Sequence, residues 1–125
     1  MGILNVTPDS FSDGGQFLDT KNAVTHALKM ADQGADIIDI GGESTRPGSD
    51  SVSTYDEMAR VIPVIEKIRN RSSILISIDT YKAEVAREAV VAGANIINDI
   101  SGLNFDPEMV NIVRDHRVPI IIMHI

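Results

Sequence analysis

The stretch GADIID at residues 34–39 returns as GANIIND at residues 93–99. In both copies a glycine closes a helical pattern, a short isoleucine-rich run follows, and a polar residue ends the run. Glycine stops helices and β-branched residues suit strands, so each copy reads as helix end, turn and buried strand. The run DIIDI at 36–40 lacks clean alternation, as expected of a parallel strand covered on both faces. Two occurrences make a repeated unit, too few for a repeat protein.

Working outward, residues 1–4 (MGIL) form an apolar strand-like run before the polar loop NVTPDSFSDGG at 5–15. Asp19 reads as the N-cap of a helix in which Ala23, Val24, Ala27, Leu28, Met30 and Ala31 recur at helical spacing as far as Gly34. After the strand at 36–40 comes a second polar loop, GGESTRPGSDSVS at 41–53. Thr54 and Glu57 have the spacing of a capping box, and Met58, Val61, Ile62, Ile65 and Ile68 mark one helical face. Pro63 inside that pattern predicts a kink or marks the true first turn. Residues 74–78 read as a third strand ending at Asp79 and Thr80, followed by a helix over 83–92 that closes at Gly93. Ile96 and Ile97 make a fourth strand ending at Asn98 and Asp99, and a helix near 107–115 leads to a fifth strand at 119–125.

This alternation predicts a parallel sheet with right-handed crossovers. Two architectures fit. A (β/α)8 barrel takes about 250 residues, or about 31 per unit, so 125 residues supply four units and the start of a fifth. A flavodoxin-like five-stranded sheet would be complete at this length. Length alone favours the second.

Composition limits the chemistry. One domain with a real core is expected from 125 residues, 43% of them hydrophobic. There is no cysteine, so disulfides and thiolate metal sites are excluded. The longest apolar runs, such as 120–123, fall far short of the roughly 18 residues that span a bilayer, and a soluble, cytoplasmic protein with no membrane partner is expected. A net charge of −7 opposes nucleic-acid binding. An anionic small substrate would need local help from backbone N–H groups, an arginine or a divalent cation.

Each strand ends in a polar residue: Asn5, Asp39, Asp79, Asn98 with Asp99, and His124. In a parallel α/β fold these ends converge on the side where ligands bind. Thr80 and Asp99 also suit helix caps, and Asp39 suits a buried structural carboxylate. The loops at 5–15 and 41–53 exceed the usual connector of about 2 to 6 residues, an excess that points to function or disorder. Gly14, Gly15, Gly41 and Gly42 fit tight turns or close approach to a phosphate. His26 and His116 lie in helical patterns and read as solvated or dipole-related. A phosphorelay receiver would place its acceptor aspartate where Asp79 stands. It would also need an acidic pair after the first strand, where this chain has Asn5 and Val6, and a lysine ending the fifth, near His124 and Ile125.

Taken together, residues 1–15, GADIIDIGGESTRPG at 34–48, ISIDT at 76–80, GANIINDISG at 93–102 and VPIIIMH at 118–124 resemble the dihydropteroate synthase family. The resemblance covers essentially the whole chain. It implies a (β/α)8 TIM barrel, of which residues 1–125 supply about the first four and a half βα units of a pterin-binding domain. It also implies condensation of a dihydropterin methyl pyrophosphate with p-aminobenzoate, release of pyrophosphate, use of Mg2+, competition by sulfonamides, and a homodimer in the full-length protein. Residue by residue, Asn5 matches the magnesium-linked asparagine. Asp13 matches an acidic residue that nears the metal on loop closure, and Phe11 one that packs beside the aminobenzoate ring. Thr45 and Arg46 match residues near pyrophosphate and the second substrate, in a pocket shaped by Ser44 and Pro47. Asp79 and Asn98 match the pterin floor, and Met123 an apolar residue on the flat ring. Asp13 and Arg46 are the catalytic candidates.

Further family residues, an acidic group, a lysine, an arginine and a histidine, belong to later strands than those present here. A partial reading frame or truncated chain, inactive by itself, is therefore expected. A related pterin-binding methyltransferase domain would share the pterin floor without needing the motifs NVTPDSFSDGG and ESTRPG.

Overall fold

Strand and helix alternate along the chain. The elements are β1 (Gly2–Asn5), α1 (Gly15–Asp32), β2 (Ile37–Gly41), α2 (Thr54–Arg69), β3 (Leu75–Asp79), α3 (Ala83–Ala92), β4 (Ile96–Asp99), α4 (Met109–His116) and β5 (Ile120–Ile122). This computed structural model describes residues 1–6, 15–42 and 52–122, and of these the side chains of all but 15–19 and 122.

Each strand pairs in parallel with its successor, so the sheet order is β1-β2-β3-β4-β5. That order decides between the two architectures. A doubly wound sheet reverses direction at a switch point, whereas a barrel steps one way throughout. The one-way winding is that of a (β/α)8 barrel, and it removes the receiver reading. Helices follow the same winding, α1 packing on α2, α2 on α3 and α3 on α4.

Strand side chains alternate between faces, and the two faces here differ in their surroundings. Leu4, Ile38, Ile40, Ile76, Ile78 and Ile97 are buried against the helices with Ala23, Val61, Ile65, Ile68, Val85 and Ala89. On the other, concave face Ile3 is 63% and Leu75 45% exposed. The expectation of a strand covered on both faces holds for β2, whose residues 38–41 are all buried, while the concave side is open at Ile3 and Leu75.

Local differences have physical causes. The first helix begins at Gly15, one turn before the Asp19 expected as its cap. Ser53, not Thr54, caps α2: its Oγ accepts from the Asp56 N–H at 3.1 Å. The Thr54–Glu57 capping box does not form, since Glu57 is turned into the protein and is 1% exposed. Pro63 lies well inside α2 and does not mark its first turn. Buried Val61, Val64, Ile65 and Ile68 around it supply the packing that outweighs a local breaker.

Gly34 and Gly93 close their helices at φ +104° and +131°, values that L side chains rarely adopt. Arg69, ending α2, then ties the amino-terminal side of the sheet together. Its Nε and Nη2 donate to Gly93 O at 3.2 and 2.8 Å, Nη1 to Ser72 O and Ile74 O at 3.1 and 2.8 Å, and Nη2 also to Asn95 Oδ1 at 2.8 Å.

Candidate active site

Parallel register sets the polar strand ends in one row. Asn5 pairs with Gly41, Gly41 with Asp79, Asp79 with Asn98, and Asn98 with Ile121. A second row lies two residues deeper, where Asp39 pairs with Ser77. Asp39 is thus not the end of its strand, as the sequence suggested, but a buried group beneath that end.

The two rows are bonded to each other. Ser77 Oγ donates to Asp39 Oδ1 at 2.5 Å, and Asn98 Nδ2 donates to Asp39 Oδ1 and Oδ2 at 3.3 and 3.4 Å. Asn98 Oδ1 is buried and is the one such side-chain atom without a hydrogen-bond partner among the described residues. Beside it, burial pushes the Asp79 carboxyl up to about 7, with the negative charges of Asp39, Glu57 and Asp99 adding to the shift. Gly41 keeps the neighbouring space open, since a Cβ there would lie 3.4 Å from Asp79 Cβ and 3.5 Å from its Oδ2.

The surroundings are held by Lys82 and Arg60, which the sequence did not single out, and by Glu57 and Gly42, which it read for other roles. Lys82 Nζ meets the buried Glu57 carboxylate at 2.8 Å and donates also to Val52 O, so the end of the second loop is tied to the start of α3. The signal for Glu57 was its place in the series 57, 61, 64, 65, 68 on the core face of α2. An acid at a core position demands a cationic or hydrogen-bonding partner. Gly42 lets α2 come close, since a Cβ would meet Val61 Cγ1 at 3.0 Å, and its carbonyl accepts from Arg60 Nη1 at 2.9 Å.

Asp99 proves structural. Its oxygens accept from Ser101 N and Oγ and from Leu103 N, at 2.8, 2.7 and 3.3 Å, and so shape the loop after β4. Thr80 acts as a local cap through Lys82 N at 3.2 Å. Asp106 reaches across to accept from Ala83 N at 2.8 Å, capping α3 from a distant loop, a contact no local pattern reveals.

Of the expected site residues, Asn5, Asp79 and Asn98 come together at the carboxyl ends of their strands. Phe11, Asp13, Ser44, Thr45, Arg46, Pro47 and Met123 lie outside the described residues, as does His124. Asn5 is exposed at its strand end. Among the described residues no three His, Asp or Glu side chains gather as a metal cage.

A one-way parallel sheet that sets a carboxylate and an amide at adjacent strand ends is part of an α/β barrel, a fold whose ligands bind at those ends. The chain belongs to the pterin binding enzyme family, whose model matches residues 1–125. It is 61% identical over 124 residues to a dihydropteroate synthase of Bacillus subtilis, covering 99% of this chain and 44% of that protein. The solved dihydropteroate synthase of Clostridium difficile, determined in the presence of pteroic acid, superposes with TM-score 0.95 at 55% identity, over 99% of this chain and 47% of that one. The Xanthomonas albilineans enzyme with 4-aminobenzoic acid gives TM-score 0.94 at 52% identity, over 100% and 45%. The chain thus spans less than half the length of these relatives.

Proposed function

We propose that residues 1–125 form the amino-terminal half of a dihydropteroate synthase, carrying most of the pterin floor and the two loops that serve the second substrate. The observation that supports this most directly is the floor itself: Asp79 beside a buried Asn98 carbonyl oxygen that has no partner among the described residues. Two acceptors side by side suit the amino and ring N–H groups of a pterin.

The reaction joins 6-hydroxymethyl-7,8-dihydropterin pyrophosphate to p-aminobenzoate, breaking the bond between the pterin methylene carbon and the pyrophosphate oxygen. The aminobenzoate nitrogen takes that carbon and loses a proton, while pyrophosphate leaves with the electron pair. Such chemistry asks for a held pterin, a stabilised leaving group and an aligned amine more than for a general base. Asp79 and Asn98 hold the ring, with Met123 packing on its face. Arg46 offers forked donors to the phosphate or carboxylate, with Ser44, Thr45 and Pro47 shaping the pocket. As the resemblance implies, Phe11 would pack beside the aminobenzoate ring and Asp13 would approach the metal, in a site from which water is excluded.

A magnesium ion bound here would neutralise charge on the leaving pyrophosphate. Asn5 fits such an ion: a single exposed amide oxygen suits an ion that keeps its waters and is shared with substrate phosphates. No described helix is long and apolar enough to cross a membrane; a cytoplasmic location is proposed. A homodimer is proposed for the full-length protein.

The test is pyrophosphate release by the full-length protein. It should require the dihydropterin pyrophosphate, p-aminobenzoate and Mg2+, form dihydropteroate, and be inhibited by a sulfonamide in competition with p-aminobenzoate. Pterin binding without release, or methyl transfer to a corrinoid instead, would overturn the synthase reading.

A further inference from the structure

We propose that Asp39 is a positioning residue that fixes the side-chain amide of Asn98, so that the site offers a carbonyl oxygen and selects a ring edge bearing an N–H donor. The inference deepens the pterin reading above and rests on it.

A carboxylate accepts hydrogen bonds, so the amide edge facing Asp39 must be the nitrogen. Asn98 Nδ2 stands 3.3 and 3.4 Å from the two Asp39 oxygens. The reversed amide would set a carbonyl oxygen against a carboxylate and lose both bonds. Asp39 cannot swing away to relieve this, because Ser77 Oγ holds its Oδ1 at 2.5 Å and the residue is 5% exposed. The three groups come from β2, β3 and β4, adjacent strands of one sheet, so the orientation is set by rigid elements and not by a loop. Asn98 Oδ1 is the consequence, a buried acceptor with no donor among the described residues. An isolated buried acceptor is unfavourable until a ligand supplies its donor, and an amide free to turn would serve donor and acceptor edges alike.

The polarity of the pair can be reversed. In Asp39→Asn/Asn98→Asp the new amide at 39 can donate to the new carboxylate at 98, whose other oxygen still meets the ligand, while Ser77 retains an acceptor. Binding of 6-hydroxymethylpterin to the full-length protein, measured by calorimetry, should weaken about tenfold in Asp39→Asn and by more in Asn98→Asp, where two carboxylates meet. The double variant should return to within about threefold of wild type. Losses that add in the double variant overturn the proposal, since a merely structural role for Asp39 predicts addition. Ser77→Ala gives an independent reading that does not depend on the swap folding: weakened pterin binding with an unchanged melting profile supports the chain of contacts, and unchanged binding overturns it. If the wild-type protein does not bind the pterin at all, the pterin reading falls and this inference with it; if it binds and the swap fails, only this inference falls.

Discussion

At the scale of single residues, Asp79 and Asn98 were legible because each ends an apolar run, where parallel strands present side chains to a ligand. Asp39 was harder to place, since the letters IIDIGG do not tell where a strand stops. The register shows it two residues below the rim, bonded to Ser77 and Asn98. Asp79 has a measurable consequence. Its carboxyl is raised to about 7 by burial first and by Asp39, Glu57 and Asp99 after that. Between its ordinary range and about 7 the folded chain therefore holds a proton that the unfolded chain has released, and this group's contribution to stability falls as pH rises through that window. Ligand binding runs the other way, because ring N–H groups need an ionised acceptor. Pterin affinity should rise between about pH 6 and 8 with release of a proton, read by calorimetry in buffers of different ionisation enthalpy. Asp79→Asn should bind pterin weakly and lose the pH dependence, with little change in affinity for free pyrophosphate. A pH slope that survives Asp79→Asn would assign the titration elsewhere. At the neighbouring strand end, Asn5→Ala should weaken magnesium-dependent pyrophosphate binding, and unchanged kinetics would remove Asn5 from the metal site.

At the scale of elements, helix ends were legible where glycine marks them, and Gly34 and Gly93 stand where their left-handed φ requires. Contacts between elements were not, because the partners lie far apart in sequence. Glu57 and Lys82 are separated by 25 positions, yet their side chains meet at 2.8 Å with exposures of 2% and 13%. Removing one member of such a pair leaves an uncompensated buried charge. Lys82→Met should therefore cost about 3 kcal/mol, while Glu57→Leu/Lys82→Met should recover most of the loss, both read from urea unfolding. At the opposite end of the same helix, Arg69 spreads its guanidinium over Gly93, Ser72, Ile74 and Asn95. A lysine there keeps the charge but not the fork, so Arg69→Lys should cost about 1–2 kcal/mol without altering pterin affinity, since the contacts lie on the side of the sheet away from the site.

For the whole molecule, length favoured a complete, open five-stranded sheet, and the motifs favoured part of a barrel. Strand order is the property that separates them, and it arises from long-range pairing that periodicity does not encode. The order β1-β2-β3-β4-β5 leaves β1 and β5 with one neighbour each among the described residues, and Ile3 and Leu75 exposed on the concave face. A barrel has no edges because its sheet closes, whereas an open parallel sheet offers unpaired N–H and C=O groups to any other chain. Apolar side chains on the inner face add a second drive to associate. Residues 1–125 alone should accordingly self-associate at micromolar concentration and show no synthase turnover, as read by sedimentation velocity and pyrophosphate release. Ile3→Lys, placed on the concave face near the β1 edge, should reduce the self-association without disturbing the helical side of the sheet, where Leu4 and Ile38 carry the packing. A monomeric, active 125-residue chain would mean that the open sheet is protected in some other way, and that the later barrel strands are not needed for the chemistry.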